Sequence, residues 1–409
     1  MGLHRFKPLP SGRMGILWTL ATIQNTALIE FGCMGHMLYS VVTLKRAGVH
    51  DACKLYSTHI DETDIVLGGT ERLYHTIAHV VQRDQPRVIF LVPSSIPEII
   101  GTDLSAICEE LQPEFPGTHL LPFGYGGFQV TQHRGVQETL LQLATTLPLP
   151  VSRTPQPTFN IIGSCADLFR FQADADEMIR LITGAFGIEP LCVMTSNTTI
   201  EAIEQMGGAH INLVIRREGE PAAKHLKQRF GTPYLLGRPY GLEGSRRWLE
   251  AIAHISGLPV YTAFVTAEQE LARKQLAPAM PGLRHIMRAH PSEAMLSLGG
   301  HADVVSGILG FGCGELGLAK GTCWCDCPDM GTEEIPYFSE DEWSQAIQEQ
   351  TSGYLMASGE ALEWAGRNRE LQISNPDTKW RLYPYEPPLT GFRGAVHLTN
   401  LWMNEEIED

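Results

Sequence analysis

The stretch PRVIFLVPSSIPEIIGTD, residues 86–103, starts on a proline, runs through five consecutive apolar residues and breaks on a proline and two serines. An unbroken apolar run of that length, rich in β-branched residues, suits a strand covered on both faces. Strands of that kind belong to parallel sheets with helices above and below. Upstream, ERLYHTIAHVVQRD (71–84) has helical spacing, and DIVLGG (64–69) reads as a short strand closed by two glycines. Downstream, SAICEELQPEF (105–115) is helical and GTHLLPF (117–123) is the next strand. The reading is a βαβα winding.

The proline-rich segment LPLPVSRTPQPTF (147–159) interrupts this winding and reads as a linker. Strands and helices then alternate again, through FNIIGS (159–164), EPLCVMTS (189–196), HINLVIRR (210–217) and PYLLG (233–237). A third, less regular unit holds the Gly-rich ADVVSGILGFGCGELG (302–317), the Cys-rich GTCWCDCPDM (321–330), TSGYLMAS (351–358) and a final helix, GFRGAVHLTNLWMN (391–404). We expect an α/β protein of three Rossmann-like domains, over residues 1–150, 151–265 and 266–409, with parallel sheets flanked by helices.

The 409 residues are 43% hydrophobic and 19% charged, an ordinary globular balance, with a net charge of −15. No Lys/Arg run appears, which argues against a nucleic-acid or anionic-membrane partner. The apolar run near the start is too short to span a bilayer, so a soluble, cytoplasmic protein is expected. Nine scattered cysteines in that setting are free thiols or thiolate ligands rather than a disulfide framework.

Ligands in parallel α/β units sit at the carboxyl ends of strands. In the first unit that edge carries ALIEFGCMGHMLYS (27–40), Gly68-Gly69 and the serines of the opening stretch. Cys33 stands between Gly32 and Gly35, with His36 three residues on. A thiolate there suits iron or zinc, and the alternative is a small buried hydrophobe. Cys313, Cys323, Cys325 and Cys327 lie within fifteen residues and form a second candidate metal site, although C-x-C-x-C is not zinc-ribbon spacing. Residues 312–317 fit G-x-G-x-x-G without the strand context that gives that motif meaning. Cys53, Cys108, Cys165 and Cys192 read as core. No Walker A sequence, H-E-x-x-H or G-x-S-x-G occurs.

The ordered set EFGCMGH, THIDETDIVLGGTERLYHTI, VIFLVPSSIPEIIGTDLSAI and GYGGFQVTQHRG, followed by HINLVIRREGEPAAKHLKQRFGTPYLLGRPYGLEGSRRWL and LTGFRGAVHLTNLWMN, resembles nitrogenase component 1 proteins and their relatives. The resemblance covers most of the chain and is weakest over 280–380. It implies a cytoplasmic, nitrogenase-like oxidoreductase subunit that pairs with a homologous α-like subunit as a heterotetramer. It further implies an iron–sulfur cluster, 4Fe–4S or larger, shared across the subunit interface and fed by a separate ATP-dependent iron protein.

Subunits of that family that give three cysteines have one before the Gly-Cys turn, one in it and one ahead of the x-EIIGxDL segment. Only Cys33 remains here, and Ser95 holds the third position, six residues before Gly101. The resemblance therefore implies a β-type, one-cysteine subunit, with Cys33 as the metal ligand and Gly32, His36, Gly68, Gly69 and Ser95 around the cluster. Catalytic subunits of the family hold a large cofactor with a Cys after the x-NLV strand and a His before the final Gly-Phe segment. Here Ile215-Arg216 and Thr390 stand at those places. Arg216 and Arg217 would face an anionic group or form exposed salt bridges. A tetrapyrrole, an organosulfur compound or a small multiply bonded molecule all fit as substrate. An assembly scaffold for an iron–sulfur cofactor is the alternative role, and a metal-free Rossmann binding protein a third.

Overall fold

Three four-stranded sheets, all parallel, carry the fold. The structure, a computed structural model, describes residues 10–46, 48–49, 52–67, 69–124, 131–350, 352–365, 370–374 and 387–404. The first sheet contains β1 (Thr26–Phe31), β2 (Cys53–Ser57), β3 (Val88–Pro93) and β4 (His119–Pro122) in the order β2-β1-β3-β4. The second contains β5 (Thr158–Ile162), β6 (Glu189–Met194), β7 (Ile211–Val214) and β8 (Tyr234–Leu236) in the order β6-β5-β7-β8. The third contains β9 (Met295–Gly300), β10 (Ala319–Cys325), β11 (Tyr354–Ser358) and β12 (Glu370–Ser374) in the order β10-β9-β11-β12. Each sheet repeats one winding, and in each the strand order reverses between its first and third strands. That reversal opens a crevice at the carboxyl ends, where α/β folds place ligands.

Strand β3 behaves as its unbroken apolar run requires. Val88, Phe90 and Val92 enter one core, while Ile89 and Leu91 enter another on the opposite face. Helices cover both sides. Helix Thr70–Asp84 packs Leu73, Ile77 and Val80 onto one face, and helix Gly12–Leu20 packs against the other together with helix Gln132–Thr146. The final helix, Gly391–Asn404, returns from the third sheet to pack on helices Phe171–Phe186, Leu242–Ser256 and Thr262–Leu276.

Two local expectations differ from the structure. The DIVL of the expected strand at 64–69 is helical, within helix Glu62–Leu67, and the second strand is CKLYS at 53–57. The Asp61 carboxylate explains this, because it accepts from the backbone N–H groups of Thr63 (2.9 Å) and Asp64 (3.0 Å) and so starts a helix. The G-x-G-x-x-G match at 312–317 falls in a π-helical continuation of helix Ala302–Leu309, not in a strand-to-helix loop. Its Glu315 points back and accepts from the N–H groups of Leu242, Glu243 and Gly244, capping helix Leu242–Ser256. None of the described helices is long and apolar enough to cross a membrane.

Phe90 is fully buried in the centre of β3. Phe90→Ala is expected to cost about 3–5 kcal/mol through lost burial and the cavity left behind. Denaturant midpoints of the two proteins measure it, and a loss under about 1 kcal/mol would mean that β3 is not a doubly covered strand.

Candidate functional site

The Cys33 turn is built where β1 and β3 end side by side. Phe31 pairs with Pro93 across the ladder, and the Ser94 N–H donates to Phe31 O at 2.8 Å. The turn is gripped from the other side by the end of β2: Gly32 N–H donates to Thr58 Oγ1 at 2.9 Å, and Ile60 N–H donates to Gly32 O at 3.1 Å. A Cβ on residue 32 would stand 2.1 Å from Ser94 Oγ, so only glycine fits. Helix Met34–Arg46 starts immediately afterwards.

Cys33 is a free, half-buried thiol whose sulfur has Ile60 O as a polar neighbour at 3.9 Å. The Ser94 hydroxyl beside it is fully buried and has no hydrogen-bond partner among the described residues. Buried hydroxyls are normally paired, so this one has an unused donor and unused acceptor capacity. Ser95 stands one residue further on, partly exposed at the start of helix Ser95–Ile99; the serine that faces Gly32 is Ser94. Gly69 is buried at the head of helix Thr70–Asp84, in the left-handed conformation, and a Cβ there would meet the Phe31 ring at 3.2 Å. Gly68 lies outside the described residues.

A buried charge sits directly behind the turn. Glu30, the penultimate residue of β1, is fully buried, and Arg13 Nη1 donates to its Oε1 at 2.9 Å and to Ser40 Oγ at 3.0 Å. Burial lifts the Glu30 carboxyl to about 7 against the pull of Arg13. Its Oε2 has no hydrogen-bond partner among the described residues. His36 Nδ1 lies 3.8 Å from Glu30 Oε1, and burial followed by the Arg13 charge lowers the ring's pKa. Sequence reasoning misses Glu30 and Arg13. The one signal for them is a lone Glu within the apolar ALIEF.

The rim is apolar. Met34, Leu38, Tyr39, Val66, Ile99 and Ile100 are six of the ten large hydrophobic side chains exposed among the described residues, and all belong to segments following the ends of β1, β2 and β3. Apolar exposure gathered on one edge marks a contact surface rather than a scatter of surface residues.

The four-cysteine candidate does not assemble. Cys323 and Cys325 share one face of β10, as strand alternation requires, but with Cys327 they are buried in a large apolar core, and Cys313 packs against its margin. Burial raises the thiol of Cys323 to about 11 and that of Cys325 to about 12, disfavouring thiolates. Among the described residues, the one set of three His, Cys, Asp or Glu with ligand atoms all within 4.8 Å of one another is His133, Glu218 and His301.

That set joins helix Gln132–Thr146 to the segments that follow β7 and β9. Arg216, expected at the surface as one alternative, is fully buried: it donates to Asp167 Oδ1 at 2.7 Å and to Glu218 Oε1 at 2.6 Å. Arg217 Nε donates to Asp303 Oδ1 at 2.8 Å. Thr390 is also buried, its N–H and hydroxyl directed to the Asp174 carboxylate at 3.2 Å each. The two places at which a large cofactor would find its Cys and His are thus taken up by a buried ion-pair network and a satisfied hydroxyl, and such a cofactor does not fit there.

A carboxyl raised in the fold stays protonated while its unfolded counterpart ionises, so stability from this group falls as pH rises between about 4.5 and 7. The expected loss is on the order of 3 kcal/mol. Glu30→Gln should flatten that slope in unfolding midpoints measured from pH 5 to 8; parallel slopes in the two proteins would place the Glu30 carboxyl near its ordinary range.

Comparison with known proteins agrees with this architecture. The family model for nitrogenase component 1 type oxidoreductase matches residues 11–320. The chain is 24% identical over 369 residues, 85% of its length and 68% of the relative's, to the B-subunit of light-independent protochlorophyllide reductase from Heliobacterium modesticaldum. It is 30% identical over 184 residues, 45% of its length, to the same subunit from Jannaschia sp., of which it spans about a third (35%). It is 25% identical over 300 residues, 70% of its length and 62% of the relative's, to nitrogenase iron-molybdenum cofactor biosynthesis protein NifE of Methanosarcina barkeri. Among solved structures, nitrogenase Cp1 at pH 6.5 superposes with a TM-score of 0.75 over 99% of this chain and 94% of that one, at 15% identity, a likeness of fold. With its three parallel sheets and a family match over three quarters of its length, the chain belongs to the nitrogenase component 1 type oxidoreductase family.

Proposed function

We propose that this chain is the β-like, one-cysteine subunit of a nitrogenase-like two-component reductase. In this reading Cys33 gives one thiolate to an iron–sulfur cluster shared with a homologous α-like subunit, and an ATP-dependent iron protein supplies the electrons. The observation that carries the reading is the Cys33 turn: a half-buried thiol beside an unpartnered buried hydroxyl, inside an apolar rim. An iron–sulfur cluster needs about four protein ligands. Among the described residues Cys33 belongs to no set of three ligand atoms, so the remaining ligands come from across the interface. The apolar rim is the surface that the partner covers.

The bound cluster supplies one-electron transfer at low potential. The chain's own residues do the rest. Cys33 Sγ binds, and Gly32 lets Ser94 Oγ approach as a hydrogen-bond donor to cluster sulfur. Met34, Leu38 and Ile99 exclude water once they are covered. His36 Nδ1 and Glu30 Oε2, both buried and unpartnered among the described residues, hold protons close to the site. The substrate site belongs mainly to the partner, since the large-cofactor positions here are filled; tetrapyrrole, organosulfur and small multiply bonded substrates all remain compatible. The similarity to a cofactor biosynthesis protein favours one second reading, an assembly scaffold built on the same Cys33 site. Sustained substrate reduction with the iron protein separates the two, because a scaffold releases a cofactor and does not turn over.

Cys33→Ala in the co-purified complex is expected to remove most of the iron and acid-labile sulfide and to abolish the reduced-state paramagnetic signal. Unchanged iron and an unchanged signal would contradict the assignment. Ser94→Ala is expected to keep the iron but move the cluster's midpoint potential to more negative values, because a hydrogen bond to sulfur stabilises the reduced state. An unmoved potential would place the hydroxyl away from the cluster.

A further inference from the structure

Segments that follow the central strands of the second and third sheets meet at one point. Glu218 follows the end of β7, at the second sheet's crevice, and His301 follows the end of β9, at the third sheet's crevice. His133, from helix Gln132–Thr146 beside the first sheet, reaches the same point. All three are buried. We propose that His133 Nδ1, His301 Nε2 and a Glu218 carboxylate oxygen bind one divalent first-row metal ion, such as zinc, at the junction of the three sheets.

The donor set is the first argument. Two imidazoles and a carboxylate are a common ligand set for zinc and for non-haem iron. The two ring nitrogens now bracket Glu218 Oε1 at 2.7 and 2.9 Å. Ligation of one ion needs about 3.3 Å between neighbouring ligand atoms, and one ligand atom from each of the three residues lies within 4.8 Å of the others. Arg216 holds Oε1 at 2.6 Å, whereas Oε2 is met by His301 at 3.1 Å. The ion therefore takes Oε2 and leaves Oε1 to the guanidinium.

Charge balance is the second argument. Two guanidinium groups, Arg216 and Arg217, face the four carboxylates Asp167, Glu218, Asp303 and Asp326 through direct contacts or through His133. Without an ion, a protonated His133 makes up one of the missing charges; ligation requires both imidazoles to be neutral, and the two guanidinium groups then fall two charges short of the four carboxylates. A divalent cation supplies both.

The third argument is Asp326. Its Oδ1 is buried, has no hydrogen-bond partner among the described residues and lies 3.8 Å from His133 Nε2. When Nδ1 binds an ion, the proton of the neutral ring is on Nε2, and Asp326 is the carboxylate that orients it. His301 must likewise carry its proton on Nδ1, giving up the 3.2 Å bond from the Asp303 N–H. One backbone hydrogen bond is small beside a coordination bond.

This site is independent of the cluster at Cys33, and zinc serves as a probe distinct from cluster iron. The complex with its partner subunit is stripped with a chelator, equilibrated with excess zinc, desalted, and analysed for zinc content and by zinc K-edge X-ray absorption. One zinc per chain is expected, with a nitrogen and oxygen shell, imidazole scattering and no sulfur. His133→Gln and His301→Gln should each lower zinc affinity at least tenfold, and Asp326→Asn by about 10–100-fold. Cys33→Ser should leave the zinc in place. No retained zinc, a sulfur-containing shell, or equal retention in the histidine variants would overturn the proposal. Should the histidine variants fail to fold, the wild-type absorption spectrum and Asp326→Asn decide it.

Discussion

The Gly32–Ser94 contact is the constraint on which the Cys33 site depends. A side chain at residue 32 would meet the serine hydroxyl at 2.1 Å, so the turn after β1 and the turn after β3 can close only around glycine. Parallel register brings those two turns together, since Phe31 and Pro93 are partners on adjacent strands. The sulfur of residue 33 is thereby set at the mouth of the crevice rather than within a core. The thiol is half-buried there. The Arg13–Glu30 pair behind it braces the end of β1 against helices Gly12–Leu20 and Met34–Arg46.

A second polar centre ties the three sheets to one another. Glu218 accepts from Arg216, His133 and His301, and these residues come from segments attached to all three sheets. Burial opposes ionisation of Glu218, but the Arg216 charge, joined by His301, outweighs it and holds the carboxyl well below its usual range. Burial likewise opposes charging of His133, and its contacts with Asp326, Cys327 and Glu218 outweigh that penalty, raising its pKa well above the ordinary value. The same network closes the space that a large cofactor would need.

The sheet strands are legible in the sequence where burial is two-sided. VIFLV is a continuous apolar run, and FNII and INLV are apolar apart from one asparagine each, Asn160 and Asn212, which pair with each other inside the sheet; each is the first or third strand of its sheet, next to the crevice. The edge strand CKLYS is not legible, because one exposed and several half-buried positions dilute the apolar signal. DIVL resembles a strand on composition, while the Asp61 cap that makes it helical is a side-chain effect outside the run. Cys33 and its glycines can be found from spacing and family resemblance. Ser94 and Ser95 cannot be told apart, since a one-residue difference in facing is settled only by how the turn leaves β3. His133, Glu218 and His301 are 85 and 83 residues apart in succession, and no local pattern marks residues that only the packing of three units brings together. Arg216 looks like a surface charge for a related reason: Glu218 is two residues away, but the second partner, Asp167, follows β5 and is recognisable only once β5 and β7 lie side by side.

Cys33 as the single sulfur lent to a centre spanning two unlike chains is most directly tested by an electron cryomicroscopy map of the anaerobically purified complex with its homologous partner. Heavy-atom density bonded to Cys33 Sγ at the subunit boundary, with Ser94 Oγ beside it and the Met34–Leu38–Ile99 rim covered, is the expected result. A map with this turn in solvent or packed against hydrocarbon, and no metal density at the sulfur, would contradict it.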